Sequence, residues 1–235
     1  MKVIILAGGF GTRLGKKTEK IPKPMVKIGD KPIIWHLMKS YASYGYDEFV
    51  ILLGYKGDII KNYFKDIDED WQVELVDTGL YTKKGGRLKR AEEYLRDDIH
   101  HLTYSDGLSD VNINEIENFH KSHDKMLTLT GVRPPARFGS LQVDGNLVTS
   151  FTEKKPQSGR IINGGFMVFD RPFLDELVDE QGCRLEKDVL EKLSKEGEIM
   201  VYRHKGDWQC MDYQKDLQYL NELYDEGEAF WKEWQ

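Results

Sequence analysis

Cysteine is scarce in this chain: there are two in 235 residues, Cys183 and Cys210, far apart in sequence. They form neither a disulfide framework nor a metal-ligand spacing, and both are expected as small buried side chains. Long apolar runs are missing too. The longest are strand-sized, so no membrane partner is expected. The formal net charge of −6 argues against nucleic acid as a partner. Repeats, low-complexity tracts and obvious linkers are absent, and one lysine precedes VIILA, which is too short an approach for a secretory signal. The expectation is a cytoplasmic protein with residues 1–235 in a single domain.

What is present is an α/β pattern. Short apolar runs (VIILA at 3–7, FVILLG at 49–54, HLTYSDG at 101–107, MLTLTGV at 126–132 and FMVFD at 166–170) alternate with helix-like stretches. Such alternation builds βαβ units around a largely parallel sheet. Ile34, Leu37, Met38 and Tyr41 recur at helical spacing, with Pro32 in the first turn and Gly45 as the stop. Ile113, Ile116, Phe119 and His120 form another helical face, on which His120 is expected as a partly buried edge residue. Asp144-Gly145 between alternating residues predicts a hairpin, and Leu217, Leu220, Leu223 and Tyr224 predict a terminal amphipathic helix. The aromatics after it, Phe230, Trp231 and Trp234, are expected to pack back on the body.

Charge is polarised along the chain. Thr12 to Lys31 holds seven basic residues against two acidic, whereas the last twenty residues hold six acids and one lysine. The basic end follows LAGGFGTRLGKK, a strand running into glycines, which is how α/β proteins commonly seat phosphates. Two familiar phosphate motifs do not fit it. A dinucleotide fingerprint on Gly9 and Gly11 would need glycine where Leu14 stands; a P-loop would need glycine at Phe10 and Ser or Thr at Lys17. What remains is a glycine loop carrying Arg13, then Lys23 between Pro22 and Pro24. The prolines restrict the backbone on both sides of Lys23, and a charge held in place suits transition-state stabilisation. Asp106 ends an apolar strand on the sheet edge where ligands bind, and Asp212 in WQCMD is its candidate partner for Mg²⁺, which takes carboxylates together with phosphate oxygens.

LAGGFGTRLGKKTEKIPKPMVKIGDKPIIWHLM resembles the signature of the sugar-1-phosphate nucleotidyltransferases. LVDTG, TKKGGRLKRAEEYL, YSDGLSD, PPARFGSL, INGGF and WQCMD resemble the glucose-1-phosphate cytidylyltransferase branch. The resemblance implies a Rossmann-like nucleotidyltransferase fold: a mixed, mostly parallel sheet flanked by helices, with a β-rich sugar-binding elaboration. It divides the domain into a nucleotide-binding half over about 1–132, a sugar-phosphate half over about 133–212 and a C-terminal helix over about 213–235. It implies Mg²⁺-dependent transfer from CTP to glucose 1-phosphate, giving CDP-glucose and pyrophosphate, and a homo-oligomer.

By the same resemblance, Leu6, Ala7, Gly8, Gly9, Gly11 and Thr12 form the nucleotide seat with Ser105. Arg13 meets the triphosphate and Lys23 the reacting phosphates. Gly85, Gly86 and Arg87 lie near the base; Glu153, Lys154, Asn163 and Gly164 bind the sugar phosphate; Asp106 and Asp212 hold the metal. Lys154 is taken over Lys155 because its spacing to Asn163 keeps the family register. The chain departs from the family there, where the family's EKP reads Glu153-Lys154-Lys155-Pro156, and in two further places. Only KDIDEDWQVE stands between Phe64 and LVDTG, where the family carries a longer insertion, and Ser105 replaces the usual glycine. Two alternatives stay open: a transferase using UTP, dTTP or another sugar phosphate, and a non-catalytic nucleotide-sugar-binding subunit.

Overall fold

The computed structural model describes residues 1–134, 139–153 and 161–234. Its strands are β1 (Val3–Leu6), β2 (Lys27–Ile28), β3 (Lys31–Pro32), β4 (Glu48–Leu53), β5 (Gln72–Asp77), β6 (Ile99–Tyr104), β7 (Gly107–Ser109), β8 (Leu127–Val132), β9 (Ser140–Asp144), β10 (Leu147–Thr152), β11 (Ile162–Asp170), β12 (Ile199–Arg203) and β13 (Trp208–Cys210). The helices are α1 (Lys16–Lys20), α2 (Ile33–Ser43), α3 (Gly57–Lys65), α4 (Lys84–Arg90), α5 (Ile113–Lys121), α6 (Glu191–Glu196) and α7 (Gln214–Asp225). Seven strands form the central sheet in the order β12-β8-β11-β6-β1-β4-β5. Only β11 runs against its neighbours; the remaining pairs are parallel, which is the mixed, mostly parallel sheet expected.

β1 is buried on both faces, which is why its sequence is a continuous apolar run. Side chains alternate across a strand, so Val3 and Ile5 join the core under α2, α3, α5 and α7. Ile4 and Leu6 join the opposite core under α4 and the 171–193 segment. The two strands of the central sheet that the apolar-run reading misses are β5 and β12, its two edges. Edge strands are half exposed, so polar residues interrupt their hydrophobic pattern.

Pro32 caps α2 from one position outside the helix, and the chain leaves its last turn through Gly45 at φ 90°. His120 lies deeper than expected. It is buried, with Nδ1 2.9 Å from Thr128 Oγ1. The predicted hairpin is β9–β10; Leu141, Val143, Val148 and Phe151 face one another across it and are exposed. The terminal aromatics pack back as expected: Trp231 is fully buried, and its Nε1 donates to His36 Nδ1 at 3.3 Å. Cys183 is buried and Cys210 half buried, and both are free thiols. Among the described residues, no helix is long and apolar enough to cross a membrane.

The shortened connection after Phe64 joins the end of α3 to the start of β5, with Trp71 packed on Phe49 and Trp35. It lies at the opposite end of the parallel strands from the glycine loop. Its brevity therefore removes no wall of the cleft described next.

Candidate active site

A cleft of about 490 Å³ opens at the C-terminal ends of β1 and β6, where open α/β sheets bind ligands. One wall is the glycine loop after β1. Gly11 adopts φ 65°, and a Cβ there would stand 2.9 Å from Lys23 Cβ, so glycine permits the loop to close on the lysine. Thr18 Oγ1 donates to the carbonyls of Gly11 at 3.1 Å and Gly15 at 2.9 Å, fixing the turn that carries Thr12 and Arg13. Leu6, Ala7, Gly8, Gly9 and Thr12 all line the cleft, as does Ser105.

Lys23 sits in a short helical turn between its prolines and is buried. Its Nζ donates to Asp106 Oδ2 at 2.5 Å and Asp212 Oδ1 at 2.7 Å. Burial by itself would lower the pKa of this ammonium. Asp106 and then Asp212 outweigh that penalty and raise it above the ordinary lysine value, so the charge is held on. Arg13, largely exposed, pairs with the other oxygen of Asp212.

The two acids are 106 residues apart in number but are joined by a small ribbon. β7 follows Asp106, β13 precedes Asp212, and the two strands pair antiparallel with Cys210 opposite Gly107. Met211 N donates to Asp106 O at 2.8 Å, which locks the carboxylates side by side. Asp216, which sequence reasoning missed, accepts from Asp212 N at 3.0 Å and Tyr213 N at 2.7 Å. An acid in the first turn of a helix that begins just after Asp212 is a capping signal, and it was readable.

No cluster of three or more metal-ligating side chains exists among the described residues. The two carboxylates nevertheless converge on one cation, Lys23 Nζ. A pair of hard oxygen donors facing an open cleft is the set Mg²⁺ takes when substrate phosphates complete its shell. Cys210 also lines the cleft, but burial, with Asp212 and Asp106 beside it, pushes its thiol up to about 12. It stays protonated and is no nucleophile.

Other expected residues are placed differently. Arg87 is buried at the back of the cleft and directs its guanidinium to backbone carbonyls: Leu53 O at 2.7 Å, Gly79 O at 2.8 Å, Gly8 O at 3.0 Å and Leu80 O at 3.2 Å. It also donates to Thr78 Oγ1 at 2.7 Å, and burial holds its pKa below the usual arginine value. Gly85 and Gly86 pack away from the cleft against the 180–183 turn. A Cβ on them would meet Cys183 Sγ at 2.5 Å and Glu180 O at 2.3 Å. Asn163 lines the cleft, whereas Gly164 is one step behind it and accepts from Trp208 Nε1 at 2.8 Å. Glu153 is exposed at the end of β10 outside the cleft lining, and Lys154 lies outside the described residues.

A family model described as nucleotidyl transferase matches residues 2–231. The chain belongs to the nucleotidyl transferase family. This nucleotidyltransferase is 44% identical over 258 residues to glucose-1-phosphate cytidylyltransferase from Salmonella typhi, with both chains fully covered. It is 38% identical over 255 residues to a probable glucose-1-phosphate cytidylyltransferase from Bacillus subtilis, again over all of both chains. Among solved structures, HddC from Yersinia pseudotuberculosis superposes with a TM-score of 0.73 at 28% identity, covering 95% of this chain and 99% of that one. The Lys23, Asp106 and Asp212 constellation is thus set within an enzyme of nucleotidyl transfer.

Proposed function

We propose that this nucleotidyltransferase transfers a cytidylyl group from CTP to glucose 1-phosphate, releasing pyrophosphate. The observation that carries the reading is Lys23, held between Asp106 and Asp212 beside the glycine loop in the lining of one cleft. The full-length similarity to the Salmonella typhi cytidylyltransferase supports the choice of substrates.

In the proposed reaction an oxygen of the sugar phosphate attacks the α-phosphorus of CTP. A new P–O bond forms, the bond to the β-phosphate breaks, and pyrophosphate carries away the electron pair. The attacking oxygen is already ionised, so no general base is required. A phosphate monoester carries about −1.5 to −2 charges, so the first task is to bring two anions together. Arg13 and Lys23 supply fixed positive charge for this, and the backbone of Gly8, Gly9 and Gly11 lets the triphosphate approach closely. Asp106 and Asp212 would hold Mg²⁺. When bound, the metal neutralises charge that develops on the phosphate oxygens.

The reading includes a cytoplasmic enzyme that works as a homo-oligomer. The experiment is pyrophosphate release with glucose 1-phosphate and Mg²⁺, with CTP, UTP, dTTP, ATP and GTP supplied separately. A strong preference for CTP is expected. Preference for another nucleotide overturns the cytidylyl assignment, and silence with all five overturns the pairing with glucose 1-phosphate.

A further inference from the structure

The cleft lining contributed by β6, β11 and α4 carries a chain of polar side chains that the transfer step itself does not use. Tyr104 ends β6, immediately before Ser105 and Asp106. Its hydroxyl donates to Glu186 Oε1 at 2.9 Å and accepts from Asn163 Nδ2 at 3.4 Å. Glu186 also pairs with Lys84, whose ammonium stands 4.6 Å from the centroid of the Tyr104 ring. Tyr104, Asn163 and Lys84 all line the cleft.

The direction of each bond is set by chemistry. The Tyr104 hydroxyl meets a carboxylate oxygen, which can only accept, so the phenol proton is donated there. Burial would raise the pKa of Glu186, but the bond to Lys84 more than offsets this and holds the group below the ordinary glutamate value, leaving a carboxylate that can only accept. The tyrosine oxygen is then left as an acceptor. Asn163 has its own anchor, since its Oδ1 accepts from Gly165 N at 2.9 Å. That fixes the amide with its NH₂ toward Tyr104, an orientation that an isolated asparagine would not hold. Gly165 is glycine for a reason tied to the same chain: at φ 87° its Cβ would stand 2.5 Å from Tyr104 Cδ2. The ring fits only because position 165 carries no side chain.

We propose that Glu186 and Tyr104 are positioning residues that orient the Asn163 amide, so that its second N–H is presented to a hydroxyl or phosphate oxygen of the sugar 1-phosphate. This rests on the reading of the chain as a sugar-1-phosphate transferase. Neither residue touches the reacting atoms. Their effect is on the acceptor sugar phosphate, which Asn163 meets, and not on the nucleotide.

The test is steady-state kinetics of wild type, Tyr104→Phe, Glu186→Gln and the double variant, with each substrate varied in turn. Tyr104→Phe is expected to raise KM for the sugar phosphate about tenfold, the order of one lost well-placed hydrogen bond, with KM for the nucleotide changed less than about twofold. Glu186→Gln should move the same constant in the same direction. The double variant should be no worse than the poorer single one, because both act through one chain. Glu186→Asp, which keeps the acceptor charge, should recover part of the loss. Equal changes in both KM values, additive losses or unchanged kinetics overturn the proposal. Glu186→Gln alters a half-exposed side chain, so it decides the matter even where Tyr104→Phe melts early. Wild-type silence with every sugar 1-phosphate overturns the functional reading and this proposal together, whereas an active wild type with indifferent variants overturns this proposal alone.

Discussion

The guanidinium of Arg87 occupies the space that a side chain at Gly8 would need: a Cβ there would lie 2.4 Å from Arg87 Cζ. Gly54 is bound by the same constraint, at 2.4 Å from Arg87 Nη1. The glycine loop, the end of β4 and the 78–80 turn are therefore one assembly pinned by a single buried cation. Among the described residues that cation has no carboxylate at hydrogen-bond distance; carbonyl dipoles and the Thr78 hydroxyl satisfy it.

Arg87→Lys should accordingly unfasten the loop. Lysine offers three donors on a point charge and cannot span carbonyls from three segments. A loss of about 2–3 kcal/mol is expected, the range for removing hydrogen bonds to a buried charge, which at this chain length lowers Tm by roughly 4–12 °C. Thermal unfolding followed by circular dichroism measures it. An unchanged Tm would mean that the loop is held by other contacts.

Asp106→Asn should leave a folded protein with little turnover. Lys23 keeps Asp212 as its partner, so the buried ammonium is not orphaned. Removing one charge from the site where the transition state is stabilised is expected to cost at least about 10²-fold in kcat. Near-normal turnover at limiting Mg²⁺, with an unchanged melting curve, would take Asp106 out of the mechanism.

Lys23→Met gives a metal test that does not depend on activity. Without the ammonium, Asp106 and Asp212 face each other as like charges, which destabilises the folded state. A divalent cation that binds the folded protein would restore stability by mass action. Millimolar Mg²⁺ should therefore raise the Tm of Lys23→Met by more than it raises that of wild type. Equal shifts in the two proteins would argue that the carboxylates do not hold the metal.

These residues were legible to different degrees. β1, β4, β6, β8 and β11 could be read as apolar runs because neighbouring strands cover both sides of each; β5 and β12, at the two edges, could not. Lys23 stood out because prolines flank it, and Asp106 because it ends a strand. The bond from Tyr104 to Glu186 spans 82 residues and that from Arg87 to Gly8 spans 79. No local pattern encodes such an approach. GGRLKR resembled a nucleotide-binding segment, yet its glycines serve to seat α4 on the 180–183 turn.

Arg13→Ala should separate binding from stability. The side chain is mostly exposed and its pairing with Asp212 is a surface contact, worth no more than about 1 kcal/mol. Tm should move by no more than a few degrees, while KM for the nucleoside triphosphate rises at least about tenfold through the loss of a cation on the phosphates. Substrate kinetics beside a melting curve decide it. Unchanged kinetics would remove Arg13 from the triphosphate seat.

Acid should destabilise the fold in two successive steps, and the reason lies at the end of the sheet remote from the cleft. His100 is buried against Phe169, and burial pushes its pKa down from 6.5 to about 4. Between those values the unfolded chain binds a proton that the folded chain refuses, so stability falls as pH drops below 6.5. Glu117 adds the second step. The His101 ring 3.6 Å away, together with hydrogen bonds from Lys121 and Tyr46, outweighs burial and lowers its pKa from 4.5 to about 2. Its stabilisation is complete above 4.5 and disappears as pH falls toward 2. Urea midpoints at pH 7.0, 5.5, 4.5 and 3.0 should therefore decline steadily in wild type. In His100→Phe, which keeps an aromatic ring against Phe169, the decline between 7.0 and 4.5 should become shallower, the remainder coming from His36, His101 and His120, whose pKa values burial also lowers, while the decline between 4.5 and 3.0 persists. A wild-type midpoint that does not change from pH 7.0 to 4.5 would show that His100 takes up its proton within the folded protein at little cost.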